Sequence, residues 1–373
     1  MRSQHPLLRL LRSADEASHL SPREWEDVLR HALTAHLGGR LWQMLKEAGV
    51  AHRVPAPIAR RIEAAFIEGE YYRRRLLWEI DRLHRSFRGT ETSLILLKGA
   101  AYAAADLELA IGRPAADTDI LVSYAEISRV EQILLSDGWE HVIDDDYDQF
   151  YYRQWMHELP PLRHRVRETE LDLHHSIVPR TSRIKPDMAR VCAAAIVVDK
   201  RGTKVLAPAD MLLHCSVHLF HDGEIRGALR DLVDIDRMIR HFARTPQFWS
   251  TLVPRATELG LTRPLYYALR YADRLLATPV PQRVTDACEF AKPALPILMI
   301  MDTVIPRALI PPMSRGERWA STASGLCLFV RSHWLRMAPR LLIAHLARKT
   351  IRRLVDRHNV REAKKRSRDV NAG

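Results

Sequence analysis

The chain has 373 residues, 47% of them hydrophobic, which is enough to bury a sizeable core in two or three structural units and excludes a disordered protein. Its formal charge of +12 is concentrated at one end: residues 331–373 carry 13 Lys plus Arg against 3 Asp plus Glu, so the remainder is close to neutral. Four dispersed cysteines, Cys192, Cys215, Cys288 and Cys327, include no CxxC pair and argue against a disulfide framework or a zinc finger.

The opening stretch MRSQHPLLRLLRSADEAS mixes arginine into a short apolar run and has no small-residue cleavage pattern, so no signal peptide and a cytoplasmic location are expected. From Pro22 to about Gly89 the periodicity is helical: Ile62, Phe66, Gly69, Tyr72, Leu76, Ile80, Leu83 and Phe87 recur at steps of three and four. At residue 93 the pattern shifts to short apolar runs alternating with helices. These are SLILL, the Ala-rich AYAAADLEL, TDILV, the helix YAEISRVEQILLSDG, WEHVI, an alternating QFYYRQW and ETELDLHHSIV. After Lys204 the strand signals stop, and PADMLLHCSVHLF and IRGALRDLVDIDRMIRHF read as helices. The apolar stretch from Pro293 to Pro312 is interrupted by prolines, Asp302 and Arg307, so no transmembrane segment is expected.

The order predicts an α+β protein in four parts. Residues 1–90 form an N-terminal helical region, 91–205 a core with a small mixed β-sheet, 206–324 a helical domain, and 325–373 a basic amphipathic helix with a disordered tail. No internal repeat is visible.

The chemistry concentrates in GRPAADTDILV. On a strand, residues i and i+2 share a face, so Asp117 and Asp119 project together, and two such carboxylates call for a hard divalent cation between them. An isolated DxD is more often a turn cap and an exposed strand end. Here LLKGA upstream sends a strand straight into a helix, with Gly99 allowing close approach of an anion and Lys98 beside it. Downstream, Asp172 in ELDLHHS sits between Leu171 and Leu173 and so faces away from them.

Strand, Gly turn, helix, a strand with DxD and a later strand with a third Asp: this order resembles the polymerase-β-like nucleotidyltransferase superfamily. The run LLKGAAYAAADLELAIGRPAADTDILV, with ELDLHHS and the later PADMLLHCSVHLFH and LRDLVDI, is similar to a poorly characterised bacterial nucleotidyltransferase family marked by an LKG turn and R-x-x-x-D-x-D-h-L-V. The resemblance covers about residues 60–245. It implies Mg²⁺-dependent, two-metal transfer of a nucleoside monophosphate from an NTP, ATP in the first instance, to an acceptor that the sequence does not name; Mn²⁺ is the expected substitute. Asp117, Asp119 and Asp172 are the implied catalytic and metal residues, with Asp172 nearest the acceptor. Lys98, Gly99, Arg113 and His174 are the implied nucleotide-binding residues. Where many superfamily members carry Ser or Gly after the turn glycine, this chain has Ala100 and lacks a phosphate-binding hydroxyl.

Of His174 and His175 only His174 shares the Asp172 face, and a structural role at the strand end is equally open to it. His214, His218 and His221 have a spacing that can chelate a metal on a helix, but no carboxylate accompanies them; the resemblance gives His218 and Asp231 a bracing role at the cleft. GxSxG, GxxxxGK[ST], HExxH and GxGxxG are missing from any fitting context. The competing reading is a non-catalytic module of the same fold that binds RNA or an anionic surface through residues 331–368.

Overall fold

The helical periodicity after Pro22 resolves into α2 (Pro22–Thr34), α3 (Gly38–Glu47) and the long α4 (Ala56–Ser86), preceded by the short α1 (Pro6–Arg12). This computed structural model describes residues 5–337, apart from 91, 144 and 222–224. α2 starts at a capping box in which Ser21 and Glu24 satisfy each other's backbone N–H. α4 buries Ile62, Gly69, Leu76, Ile80 and Leu83, the face that its spacing predicts.

The next segment builds one sheet from β1 (Ile95–Leu96), β2 (Asp117–Leu121), β3 (Trp139–His141), β4 (Leu162–His164), β5 (Glu170–His174), β6 (Ile196–Val197) and β7 (Lys204–Val205). Seven strands run in the order β3-β4-β5-β2-β1-β7-β6. The sheet is mixed: β2 is parallel to β5 and antiparallel to β1, while β1 is parallel to β7. Interspersed helices are α5 (Lys98–Ala104), α6 (Ile127–Ser136), α7 (Asp146–Trp155) and α8 (Met188–Ala193). α4 and α5 contact β2, and α6 contacts β3 and β5. Thr118 and Ile120 on β2 and Leu171 and Leu173 on β5 are buried at 1% exposure or less, so the face opposite the acids is core.

The remaining described chain is helical: α9 (Pro208–Phe220), α10 (Leu229–Phe242), α11 (Pro246–Glu258), α12 (Thr262–Leu276), α13 (Gln282–Ala287), α14 (Leu295–Leu309) and α15 (Arg315–Arg336). The α+β expectation is met. Pro293–Pro312 becomes α14, with Pro306 inside it, and no helix among the described residues is long and apolar enough to cross a membrane. The basic stretch 331–368 lies outside the described residues beyond Met337.

One strand expectation is corrected. QFYYRQW is part of α7, because Asp145 caps the helix by accepting from the Tyr147 and Asp148 backbone N–H groups and Asp146 and Asp148 occupy the first turn. Its aromatic alternation carried the β signal, but the pairing partner of β5 on that side is β4, a three-residue strand too short to register as a period.

The loop leading into β2 is clamped to the N-terminal helices by three glycines. A Cβ at Gly69 on α4 would lie 2.6 Å from the Gly112 carbonyl carbon, and one at Gly39 on α3 would run into the Gly112 carbonyl oxygen. Gly112 itself has φ +67°, and its N–H donates to Glu70 at 3.0 Å. Backbone against backbone leaves no room for a methyl group, so Gly69→Ala is expected to cost about 1–3 kcal/mol in urea unfolding. Gly316→Ala, where a Cβ meets open space on α15, should instead raise stability.

Candidate active site

Parallel pairing of β2 with β5 sets Asp117 beside Glu170, Asp119 beside Asp172 and Leu121 beside His174. Because every second residue shares a face, Asp117, Asp119, Glu170, Asp172 and His174 all project from the same side of the sheet. Asp119 sits deepest among the carboxylates, at 1% exposure, while Asp117 is half-buried at the outer rung.

Asp119 is held by two nitrogen donors. Lys98 Nζ donates to Asp119 Oδ1 at 2.7 Å, and His174 Nε2 lies 3.0 Å from the same oxygen. Burial alone would push the Asp119 carboxyl up, but the Lys98 charge and the His174 bond hold it well below the usual carboxylate range. Lys98 in turn is raised above the usual lysine range: burial opposes this, and the Asp119 charge outweighs it. Lys98 reaches the acid from an unusual backbone, φ +44°, at the junction where Leu97 N–H still pairs with Asp119 C=O at 3.0 Å and the chain turns into α5. Such left-handed lysines concentrate where function over-determines the backbone.

Asp172 has the opposite character. Burial, then the charges of Asp119 and Glu158, raise its carboxyl from 3.8 to about 7. His174 is raised as well: burial works against it, and the bond to Asp119 and the Glu158 charge prevail. Glu158, which no local motif announced, follows α7 and pairs across an isolated antiparallel bridge with His174. Its Oε2 lies 3.4 Å from His174 Nδ1.

A cavity of about 460 Å³, a size typical of small-molecule sites, opens beside Asp117, Asp119 and Glu170; Asp172 and His174 are not among its lining residues. Lys98, Gly99, Asp117, Asp119 and Glu170 line one side, and His214, His218, Arg230 and Asp231 from α9 and α10 line the other. His218 pairs with Asp231 at 3.3 Å, and burial holds the His214 imidazole well below its ordinary range. His221 instead pairs with Ser182, and the His214, His218, His221 set forms no metal-sized cluster among the described residues.

Gly99 and Arg113 occupy the back wall. A Cβ at Gly99 would meet Ala115 Cβ at 2.6 Å and Arg113 Nη1 at 3.0 Å, so the glycine serves close packing against the loop before β2. The Arg113 guanidinium is buried, donates through Nε to Asp234 at 2.8 Å and lies over the Tyr102 ring. Ala100 is fully buried.

Residues 21–277 match the model of a family described as an uncharacterised nucleotidyltransferase. The chain belongs to that family. No curated protein and no solved structure matches it. The matched span contains every residue of the cavity wall named above and ends before α13.

Nucleotidyltransferases work with divalent metals, and the donor set of this one fits such an ion. Asp119, Asp172 and His174 each offer a ligand atom within 4.8 Å of the others. Paired carboxylates suit a hard cation. Asp117 stands one rung outside that group and lines the cavity.

Two outcomes are expected from this electrostatic arrangement. The folded state retains the Asp172 proton up to about pH 7 whereas the unfolded chain releases it near 3.8, so this group's contribution to stability falls as pH rises across that window and stays low above it. Asp172→Asn should therefore melt higher than wild type in EDTA at pH 8, and the gap should close below pH 4. Arg113→Ala leaves Asp234 buried without its partner and should cost about 3–5 kcal/mol, measured by chemical denaturation.

Proposed function

We propose that this nucleotidyltransferase moves a nucleoside monophosphate from an NTP, ATP in the first instance, to an acceptor nucleophile at the face carrying Asp117, Asp119 and Asp172, the acceptor oxygen bonding to the α-phosphorus as the α–β bond breaks and pyrophosphate leaves. The observation that carries the reading is the parallel register that sets Asp119 against Asp172, with Lys98, Asp117 and Asp119 lining a cavity of about 460 Å³. The polymerase-β-like arrangement is part of the same proposal, supported by the strand, turn, helix and DxD order around Lys98 and Asp119.

Asp119 and Asp172 would hold divalent cations, Mg²⁺ or Mn²⁺, with Asp117 reaching from the outer rung; bound there, the cations neutralise phosphate charge and lower the pKa of a coordinated nucleophile. Lys98 acts as the stand-in counter-ion for Asp119 and is free to turn its ammonium to the phosphates once the carboxylate is otherwise compensated. Asp172, on the strand beside Asp119, takes the proton from the acceptor hydroxyl. His174 holds the Asp119 carboxylate in orientation. Arg113, committed to Asp234, fixes the wall behind Gly99, and Arg230, His218 and Asp231 close the opposite side. Ala100 offers no hydroxyl, which leaves the phosphate grip to Lys98 and backbone N–H groups.

The test supplies each α-labelled NTP with Mg²⁺ or Mn²⁺, with and without cell extract. Label should pass to an acceptor with wild type and fall by about 10²-fold or more in Asp119→Asn and Asp172→Asn, as removal of a preorganised charge in a closed site does elsewhere. Equal labelling by the variants would remove the site from the reaction.

A further inference from the structure

His157 and Glu158 are absorbed by neither the nucleotide site nor the core. Residues 157–159 run antiparallel to the end of β5: Leu159 N–H donates to Leu173 C=O and His175 N–H donates to His157 C=O, both at 2.9 Å. That pairing sets Glu158 directly opposite His174. Glu158 Oε2 lies 3.4 Å from His174 Nδ1 and 3.8 Å from His157 Nε2, and the two imidazole rings stand 5.4 Å apart at 33°. Each of the three side chains offers a ligand atom within 4.8 Å of the other two.

His174 carries the second, independent sign. It is 1% exposed, its Nε2 is engaged by Asp119 at 3.0 Å, and its Nδ1 has no hydrogen-bond partner among the described residues. An imidazole whose one nitrogen engages a carboxylate and whose other, buried and without a hydrogen bond, faces a second carboxylate and a second imidazole has the outer-shell pattern of a metal-ligating histidine. Bonds of 2.0–2.1 Å in a tetrahedron put donors about 3.3–3.4 Å apart; the Glu158–His174 separation of 3.4 Å matches this, and the Glu158–His157 separation of 3.8 Å is a few tenths of an ångström wider.

We propose that His157, Glu158 and His174 form a second cation site, selective for a divalent transition metal of the Zn²⁺ class, next to the hard-cation site of Asp119 and Asp172. Two imidazoles and one carboxylate favour such an ion over Mg²⁺, and the fourth position is left to water. An ion on His174 Nδ1 fixes the tautomer in which Nε2–H donates to Asp119, so occupancy orients the carboxylate at the neighbouring site.

The experiment uses tag-free, full-length protein stripped with chelator and titrated with Co²⁺ as a visible stand-in, read by its d–d absorption and by metal content after desalting. One Co²⁺ per chain is expected, displaced by Zn²⁺ and retained against a large excess of Mg²⁺. Glu158→Gln and His157→Gln should each weaken it about tenfold or more while Asp172→Asn leaves it in place. Thermal melts confirm that each variant folds, and if one does not, the other carries the comparison. The site is refuted if no stoichiometric Co²⁺ binds. It is equally refuted if binding is lost to Mg²⁺ or in Asp172→Asn and survives both Glu158→Gln and His157→Gln. Neither result bears on nucleotide transfer, which is read separately by the labelling assay.

Discussion

A carboxylate buried at the centre of a sheet is the constraint on which the rest of this molecule turns. Asp119 is removed from water, and an ion so placed costs several kcal/mol unless it is paired and fully hydrogen-bonded. The chain answers with Lys98 from one side and His174 from the other, both on the same oxygen. Meeting that demand forces Lys98 into a left-handed backbone, fixes the start of α5 against β2, and requires β5 to run parallel beside β2 with no slip in register. A one-residue slip would turn Asp172 and His174 to the opposite face and leave Asp119 beside apolar side chains.

The cluster is unevenly charged in a way that suits exchange of cations. Asp119 is stabilised as an anion while Asp172, a few ångströms away on the next strand, is pushed toward neutrality by burial and by its neighbours. Asp119 is compensated by Lys98 and His174. Conversion of Glu158 or His174 to an apolar residue would disturb this balance from outside the cavity wall.

The cleft around the cluster is assembled from distant parts of the chain. α3 and α4 grip the loop before β2 through the contact of Gly39, Gly69 and Gly112, and α10 grips the same loop through Asp234 and Arg113 and through Arg230 on the Pro114 carbonyl. The loop is therefore held on both flanks before it delivers Asp117 and Asp119 to the strand. This couples the N-terminal helices to the geometry of the acids: a methyl group at Gly69 perturbs a residue five positions ahead of Asp117. Arg113, which sits close to the acids in sequence, lines the same cavity while its Nε donates to Asp234.

The sequence by itself determined the local chemistry. Period-two spacing put Asp117 and Asp119 on one face, Leu171 and Leu173 aimed Asp172 away from the core, and three-and-four spacing defined the buried side of α4. These are properties of a single strand or helix, so neighbouring residues suffice to decide them. Residues 149–155 read locally as a strand, because their aromatic alternation is the stronger short-range signal, but the Asp145 cap makes them helical and β4 takes the place beside β5. Only the tertiary structure decided which carboxylates meet. The pairing of Asp119 with Asp172, the arrival of Glu158 and His157 at His174, and the commitment of Arg113 to Asp234 all depend on strand register and helix docking across gaps of many residues. No short-range pattern encodes them, since register is set by the whole buried face and not by the few polar side chains it brings together.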